Sequence, residues 1–206
     1  MAEIIFYTNP NSRGRIVHWM LEELGEPYDT VCLEYGDAGM KATEFLQINP
    51  MGKVPVVVCH DKIITETPAI CNFLAARYPD KQLMPDYDDP ALADFYRWMY
   101  FAAGPLELAV TVNAMALEVP QERERSVGFG NIDNVHAALE LALQSGLFVC
   151  GDRFTAVDVY LGSHLNWGMA FGTLKKTPLI SDYVQRLLER PAAIRAEKLN
   201  DEKALP

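Results

Sequence analysis

The sequence predicts an α/β layered domain followed by an all-helical domain. Three observations predict this order: strand and helix patterns alternate over roughly the first eighty residues, a stretch crowded with Pro and Asp comes next, and only helical periodicity follows. We therefore expect a first domain over residues 1–78, a linker over 79–90 and a helical domain over 91–206. A chain of 206 residues, of which 50% are hydrophobic, is long enough to bury a core without disulfides.

The N-terminal domain is predicted to have the element order βαβαββα. A β-branched and aromatic run favours a first strand, apolar residues at helical spacing favour the helix after it, and Gly25 is a typical helix stop. Thr67 is expected to cap a helix that has Pro68 at its first position. The expected elements are a strand at 4–7, a helix at 12–24, a strand at 28–33, a short helix at 41–46, a hairpin of strands 54–59 and 62–65, and a helix from 67 to about 78.

The linker and the second domain follow from composition and periodicity. Seven of the twelve residues in 79–90 are Pro or Asp, which is typical of an exposed connection. Gly128 and Gly130 weaken the helical pattern around them, so a bend or break is expected there. Helices are expected at 91–117, 121–144, 155–171 and 178–189, with a last short helix starting at Arg190-Pro191.

Charge and cysteine content restrict the partners and the compartment. A formal net charge of −10 disfavours binding to nucleic acid. The four cysteines have no Cys-x-x-Cys pair, and we predict that they are buried thiols in a reducing, cytoplasmic setting. No apolar segment approaches the ~18 residues of a membrane span, and the four histidines show no metal-ligand spacing, so neither a membrane nor a metal is expected.

Four short motifs carry a family resemblance. They are NPMGKVP at 49–55, ETPAI at 66–70, FTAVD at 154–158 and RPA at 190–192. In this order and at this spacing, the chain resembles the cytosolic glutathione transferase family over essentially its whole length. The stretch from Ser12 to Leu24 further resembles bacterial members, with chi-class enzymes among the similar ones. The resemblance implies a thioredoxin-like N-terminal domain.

The resemblance implies which residues bind glutathione. In the family the proline of the first motif is cis, so Val54-Pro55 is expected to be a cis peptide, and the Val54 backbone would pair with the cysteinyl unit like an added strand. At the predicted helix start, Thr67 would bind the γ-glutamyl carboxylate and Glu66 would pair with the ammonium. Lys53 is a candidate for the glycyl carboxylate, although an exposed lysine is more often simply solvated.

Four residues are candidates for stabilising the glutathione thiolate. Family enzymes use Tyr, Ser or Cys after the first strand, and by spacing that position falls on Asn11, which departs from the pattern and donates only through its amide. Ser12 is narrowly preferred, because it stands where a hydroxyl can cap the helix while its proton points at the sulfur. Arg13 would act by charge, and Tyr7 ends the strand, where packing alone also explains it.

Two features are expected in the helical domain. Thr155 and Asp158 have capping-box spacing, which we interpret as structural. The aromatic and Met-rich residues Tyr100, Phe101 and Met115 would be core in an arbitrary protein, but in the family this region builds the apolar site for the electrophile.

The predicted function is a homodimeric glutathione transferase that adds the thiolate to hydrophobic electrophiles, with glutathione as co-substrate and no metal. Two alternatives remain open at this point. One is glutathione-dependent isomerisation or peroxide reduction, which use the same thiolate. The other is a non-enzymatic relative that serves as a protein-binding module, which the missing Ser or Cys at position 11 favours and the motifs at 49–55 and 66–70 oppose.

Overall fold

The computed structural model describes residues 3–144 and 146–204. The chain forms two compact units, the first built from Met1–Lys81 together with Glu189–Pro206 and the second from Gln82–Leu188. Sequence patterns predicted one boundary region at 79–90, and the structure differs from that prediction in returning the last helix to the first unit.

The first unit contains a mixed four-stranded sheet with the strand order β2-β1-β3-β4. Strands β1 and β2 are parallel, whereas β1 with β3 and β3 with β4 are antiparallel. The predicted order βαβαββα is therefore confirmed. Its elements are β1 (Ile4–Thr8), α1 (Gly14–Leu24), β2 (Tyr28–Cys32), α2 (Thr43–Ile48), β3 (Val56–Cys59), β4 (Lys62–Ile64) and α3 (Thr67–Arg77).

The core of this unit contains every second residue of β1 and the apolar residues on one face of α1. Ile4 and Phe6 are fully buried, while Ile5 and Tyr7, which alternate with them, are partly exposed, as a period of two requires. The buried apolar stripe of α1 consists of Ile16, Val17, Trp19, Met20, Leu21 and Leu24. Each fully buried side chain of this size contributes about 1.5–3 kcal/mol, so this face fixes the helix against the sheet.

The predicted starts of α1 and α3 need correction. Helix α1 begins at Gly14, two residues after the predicted start, because the residues before it form a turn. Helix α3 begins at Thr67, so Glu66 and not Thr67 occupies the cap position. The reason is that the Glu66 carbonyl already accepts the first helical hydrogen bond, from the Ile70 N–H at 2.9 Å, while Glu66 itself has a left-handed φ of 64°.

The second unit is helical within its described residues. The helix predicted over 91–117 is divided by a widened turn at Ala102–Leu106, since Pro105 lacks an N–H and its ring cannot fit a regular turn. The expected break near Gly130 is confirmed, with φ 66° at that residue. The helices are α4 (Ala91–Phe101), α5 (Glu107–Ala114), α6 (Ile132–Leu143), α7 (Ala156–Ala170) and α8 (Pro178–Leu188).

The predicted capping box at the start of α7 is present. The buried Asp158 carboxylate accepts the Thr155 N–H at 2.8 Å and the Val149 N–H at 3.1 Å. It also accepts the Tyr183 hydroxyl at 2.8 Å and the Thr155 hydroxyl at 3.1 Å. Asp158 thus joins the turn before α7 to helix α8.

Helix α9 (Pro191–Ala204) packs along α1 in the first unit. Arg15 binds the Asp201 carboxylate at 2.8 Å, and His18 Nδ1 lies 2.8 Å from the Asn200 side-chain oxygen. The polar residues of α1 that make these contacts recur at helical spacing on one face. That pairing explains why α9 does not belong to the helical domain predicted over 91–206.

The cysteines differ in exposure. Cys59 and Cys71 are buried, as expected, whereas Cys150 is only half-buried and Cys32 is exposed because it ends β2 at the edge of the sheet. All four are free thiols. Among the described residues, no helix has both the length and the apolar content needed to cross a membrane.

Candidate active site

The end of β1 and the start of β3 lie side by side. Tyr7 pairs with Val56 in the antiparallel register, so the residues that follow β1 and those that precede β3 leave the sheet at the same end. The loop that carries the thiolate candidates and the segment expected to contact the tripeptide backbone therefore meet at one end of the sheet.

The end of β4 reaches the same place. Val57 pairs with Ile64 in the antiparallel register of β3 and β4, so the residues after β4 leave the sheet at the same end as the residues before β3. Thr67 follows directly and begins α3. Three sequence-distant segments, namely the loop after β1, the residues before β3 and the start of α3, are thus adjacent at one end of the sheet.

Asn9 organises the loop between β1 and α1. It is only 5% exposed, and its carboxamide donates to the Leu33 carbonyl at 2.9 Å. Its side-chain oxygen accepts the Asn11 N–H at 2.9 Å, which is an Asx-turn. The Asn9 backbone carbonyl accepts both the N–H and the hydroxyl of Ser12.

The Ser12 hydroxyl is engaged within the loop. It donates to the Asn9 carbonyl at 2.7 Å and accepts the Gly14 N–H at 2.9 Å. A hydroxyl has one proton, so this geometry leaves none for a ligand. Gly14 is required here, because a Cβ at that position would meet the Thr8 hydroxyl oxygen.

Asn11 is exposed, and its backbone is held from both sides. Its N–H donates to Asn9 and its carbonyl accepts the Tyr35 hydroxyl at 2.9 Å. Within the described part of the chain, the Asn11 carboxamide makes no hydrogen bond. Of the two neighbouring polar side chains, Asn11 therefore keeps its donors available and Ser12 does not.

The other two thiolate candidates, Arg13 and Tyr7, have different surroundings from Asn11. Arg13 is exposed and directly precedes α1. Tyr7 is half-buried and packs against a small apolar cluster that includes Phe45, whose ring centroid is 5.8 Å from that of Tyr7. Packing accounts for the position of the Tyr7 ring.

The loop before β3 is held by a second buried asparagine. Asn49 is 5% exposed, accepts the Met51 N–H at 3.1 Å and donates to the Lys53 carbonyl at 2.8 Å. The Val54-Pro55 peptide bond is cis, as the resemblance implied. Lys53 is exposed, Val54 is half-buried and Pro55 is buried, so of these three the lysine side chain has the most solvent around it.

The start of α3 offers a site for an anionic group. The first N–H groups of a helix have no partner in the helix, and the positive end of its dipole lies there. Glu66 is exposed beside this terminus and Thr67 is nearly buried, with 6% exposure. A carboxylate can meet the helix terminus and an ammonium can meet Glu66 at the same place.

Four residues that the sequence analysis did not assign to the site shape these loops. Asn9 and Asn49 hold the loops as described above, Tyr35 binds the Asn11 carbonyl, and Lys41 donates to the Met51 carbonyl at 2.9 Å. A signal for two of them was available, since Asn-Pro dipeptides at 9–10 and 49–50 mark turns. Tyr35 and Lys41 carry no comparable pattern.

The electrophile candidates lie in the second unit. Tyr100 is 66% exposed and Met115 is 64% exposed, while Phe101 is half-buried, with its ring centroid 5.2 Å from that of Trp98. A separate apolar cavity of about 160 Å³ lies between α5 and α6 and is lined by other residues, including Val112, Leu117, Phe129 and Ile132. No group of three or more metal-ligating side chains occurs in residues 3–144 and 146–204.

Comparisons with known proteins cover both units. Residues 2–76 match the family model described as glutathione S-transferase, N-terminal domain, and residues 105–191 match glutathione S-transferase, C-terminal domain. The chain is 27% identical over 201 residues to glutathione S-transferase GstA of Escherichia coli O157:H7, covering 95% of this chain and 98% of the relative. It is 30% identical over 196 residues to glutathione S-transferase GstB of Escherichia coli strain K12, covering 89% and 92%.

A solved structure shows the same fold with a ligand. The glutathione transferase URE2P6 from Phanerochaete chrysosporium, in complex with oxidized glutathione, superposes with a TM-score of 0.78. It is 25% identical to this chain, and the match covers 98% of each.

Proposed function

The chain belongs to the glutathione S-transferase family, and from that membership we propose that it adds the thiolate of glutathione to small hydrophobic electrophiles. It is an enzyme of this family and uses glutathione as its co-substrate. The non-enzymatic alternative receives no support from the relatives, which are named as transferases. The observation that carries the proposal is the meeting of the loop after β1, the residues before β3 and the start of α3 at one end of the sheet.

We propose that the tripeptide lies across this end of the sheet. Its γ-glutamyl carboxylate would bind at the start of α3 with Thr67, and its ammonium would pair with Glu66. Its cysteinyl backbone would pair with the Val54 backbone beside Pro55. The exposed Lys53 would meet the glycyl carboxylate. Each polar end of the ligand then has a partner of opposite charge or a free backbone group.

Asn11 is the proposed donor to the thiolate. A free thiol of this kind has a pKa of about 8.5, so the enzyme must favour the thiolate by about 1.4 kcal/mol for each unit by which it lowers that pKa. A hydrogen bond to a charged group contributes about 1.5–3 kcal/mol. The Ser12 proton is directed to Asn9 in the free protein, whereas the Asn11 carboxamide is exposed with its donors available. The preference therefore moves from Ser12 to Asn11, with Arg13 and Tyr7 as weaker candidates.

The reaction is nucleophilic attack by the sulfur on an electrophilic carbon. The thiol proton leaves to solvent and the carbon–sulfur bond forms. In an addition the electrons of the substrate's π bond move to the neighbouring atom, which takes a proton from solvent, and in a substitution the leaving group departs with the electrons of its bond. Asn11 holds the negative sulfur by donation and takes no proton, because an amide is neither a base nor a nucleophile. Tyr100, Phe101 and Met115 are the proposed apolar contacts of the electrophile.

Two further proposals concern assembly and compartment. We propose a two-fold homodimer of this chain, in keeping with the preference of soluble oligomers for closed symmetry. The free cysteines, two of them buried, are in keeping with a cytoplasmic location.

The test combines binding and turnover. The protein should be retained on immobilised glutathione, eluted by free glutathione, and should then conjugate glutathione to an activated aryl halide. Parallel assays with an organic hydroperoxide and an isomerisable substrate separate conjugation from the two other thiolate reactions. Retention without activity in any of these assays would contradict the proposed chemistry while leaving glutathione binding intact.

A further inference from the structure

We propose that Tyr35 and Asn9 are positioning residues that fix Asn11 for contact with the glutathione thiolate. This inference rests on the proposed function, because it concerns the residue through which the thiolate would be stabilised. Neither Tyr35 nor Asn9 needs to touch glutathione in this proposal. Both act on the backbone of Asn11.

The Asn11 backbone is bonded on each side by a different part of the chain. Its N–H is bound by the Asn9 side chain at 2.9 Å, and its carbonyl by the Tyr35 hydroxyl at 2.9 Å. Asn9 belongs to the loop itself, whereas Tyr35 follows β2 and is 24 residues away in sequence. With both backbone groups bonded, the direction of the Asn11 Cα–Cβ bond is restricted, although its carboxamide remains exposed.

The segment that carries Tyr35 is itself well anchored. The Met40 N–H donates to the Glu34 carbonyl at 2.9 Å, and the Lys41 N–H donates to the Gly36 carbonyl at 2.9 Å. Gly36 has a φ of 90°, which few other residues adopt, and a Cβ at Gly39 would meet the Glu34 carbonyl oxygen. Tyr35 therefore projects from a compact turn.

Asn9 connects the loop to this same segment. Its carboxamide donates to the Leu33 carbonyl, and the Leu33 N–H donates to the Thr8 carbonyl, both at 2.9 Å. The residues just after β2 thus bind the end of β1 at Thr8 and the loop that follows it at Asn9 and Asn11. Such support is what a hydrogen-bond donor needs if it is to face a developing or bound anion without reorganising.

The main test is Tyr35→Phe, which removes one hydroxyl from an exposed ring and leaves the aromatic ring in place. The pKa of the thiol in the complex with glutathione is measured by its thiolate ultraviolet absorbance, and the pH profile of conjugation is measured alongside. The free energy of one neutral hydrogen bond corresponds to a pKa change of about 0.5–1 unit, and we expect the thiol pKa of bound glutathione to rise by that amount. The KM for glutathione should stay within about twofold, since the ligand's charged ends are bound elsewhere.

Matched controls separate positioning from a general effect of losing a tyrosine hydroxyl. Tyr87→Phe changes a tyrosine that is 95% exposed and lies in the other unit, so both readouts should match the parent. Asn9→Ala should shift the thiol pKa in the same direction as Tyr35→Phe. Because Asn9→Ala also removes buried hydrogen bonds, circular dichroism and thermal unfolding are recorded for it, and the interpretation depends on Tyr35→Phe.

The decisive comparison places Tyr35→Phe in an Asn11→Ala background. If Tyr35 acts through Asn11, the second substitution adds no further shift to the thiol pKa. An equal shift in both backgrounds, or no shift in the parent, would overturn the positioning role and leave the proposed function standing. If the thiol pKa of bound glutathione in Asn11→Ala equals that of the parent, Asn11 is not the donor. If the parent does not bind glutathione, the proposed function is wrong. Either result overturns this inference as well.

Discussion

Asn9 and Asn49 occupy equivalent positions in two loops that meet at one end of the sheet. Each is 5% exposed, each precedes a proline, and each accepts the N–H of the residue two positions later. Each also donates its carboxamide to a backbone carbonyl, at 2.9 Å for Asn9 and 2.8 Å for Asn49. The two loops around the proposed cysteinyl position are therefore stabilised by the same arrangement of asparagine hydrogen bonds.

The first prediction concerns the γ-glutamyl end of glutathione. Glu66→Ala should weaken glutathione binding by about tenfold to a hundredfold, or ~1.5–3 kcal/mol, because it leaves the ligand ammonium without its charge partner. Isothermal titration calorimetry measures the change. Glu118→Ala, at an exposed glutamate in the other unit, is the control and should bind like the parent. Equal affinities for both variants would show that the ammonium lies elsewhere.

The second prediction separates Ser12 from Asn11. Ser12→Ala removes the bonds to the Asn9 carbonyl and the Gly14 N–H, so it should lower the free energy of unfolding by about 1 kcal/mol while the thiol pKa of bound glutathione stays near that of the parent. Asn11→Ala should do the opposite, with an upward shift of about one to two units and little loss of stability. Urea unfolding and ultraviolet titration are measured on both. A large pKa shift in Ser12→Ala would restore the serine as the donor.

The third prediction concerns the buried carboxylate at the start of α7. Asp158→Ala should lower the free energy of unfolding by about 3 kcal/mol or more, since it leaves the N–H groups of Thr155 and Val149 and the Tyr183 hydroxyl without their acceptor. Asp133→Ala changes an exposed aspartate in the first turn of α6 and should cost less than about 1 kcal/mol. Similar losses in the two variants, measured by urea unfolding, would contradict the structural role of Asp158.

The fourth prediction concerns thiol reactivity. Burial raises the pKa of Cys71 to about 12 and that of Cys150 to about 12, and it also raises the pKa of the buried Cys59. Cys32 is exposed at the end of β2. Ellman's reagent should therefore titrate one thiol quickly in the native protein and the other three only after denaturation. Cys32→Ser should abolish the fast phase, and a fast phase that survives this substitution would refute the assignment.

Local sequence patterns predicted the helices and strands better than they predicted which of these elements pack against each other. The β-branched and aromatic run of β1, the apolar spacing of α1 and the capping box of Thr155 and Asp158 depend on residues close in sequence, and the structure confirms the elements they predict. The contacts of α9 with α1 join residues 186 and 182 positions apart, as in the pairs Arg15–Asp201 and His18–Asn200. Periodicity carries no information about such pairs, so it could not show that the last helix packs within the first unit.

In the candidate site, too, the sequence predicts the segments involved but not the direction of the side chains. The motifs at 49–55 and 66–70 mark two of the three segments that meet at the end of the sheet. The choice between Asn11 and Ser12 depends on where the Ser12 hydroxyl proton points, and the Asn9 carbonyl decides that, while Tyr35 from a different segment binds the Asn11 carbonyl. Spacing along the chain cannot reveal the direction of a side chain within a loop.

The last prediction concerns the pH dependence of stability through His18. This histidine of α1 is 1% exposed. One of its ring nitrogens lies 2.8 Å from the Asn200 side-chain oxygen of α9, and the other lies 2.9 Å from the Tyr28 hydroxyl at the start of β2. Burial lowers the pKa of His18, with further lowering by Lys203, while Asn200 and Glu22 oppose the shift. The unfolded chain therefore binds a proton near pH ~6.5 that the folded protein does not yet bind.

The sign follows from that difference in bound protons. Above pH ~6.5 His18 is neutral in both states and contributes no pH dependence, whereas below it the free energy of unfolding should fall by up to about 1.4 kcal/mol per pH unit, until the folded protein also binds the proton. In His18→Gln this part of the slope disappears, and in His60→Gln, at an exposed histidine, it remains. Urea unfolding of the three proteins from about pH 7.5 to about pH 5 measures the difference. Parallel curves for the parent and His18→Gln would mean that other groups control acid stability, because a histidine held neutral by burial must take up its proton when the chain unfolds.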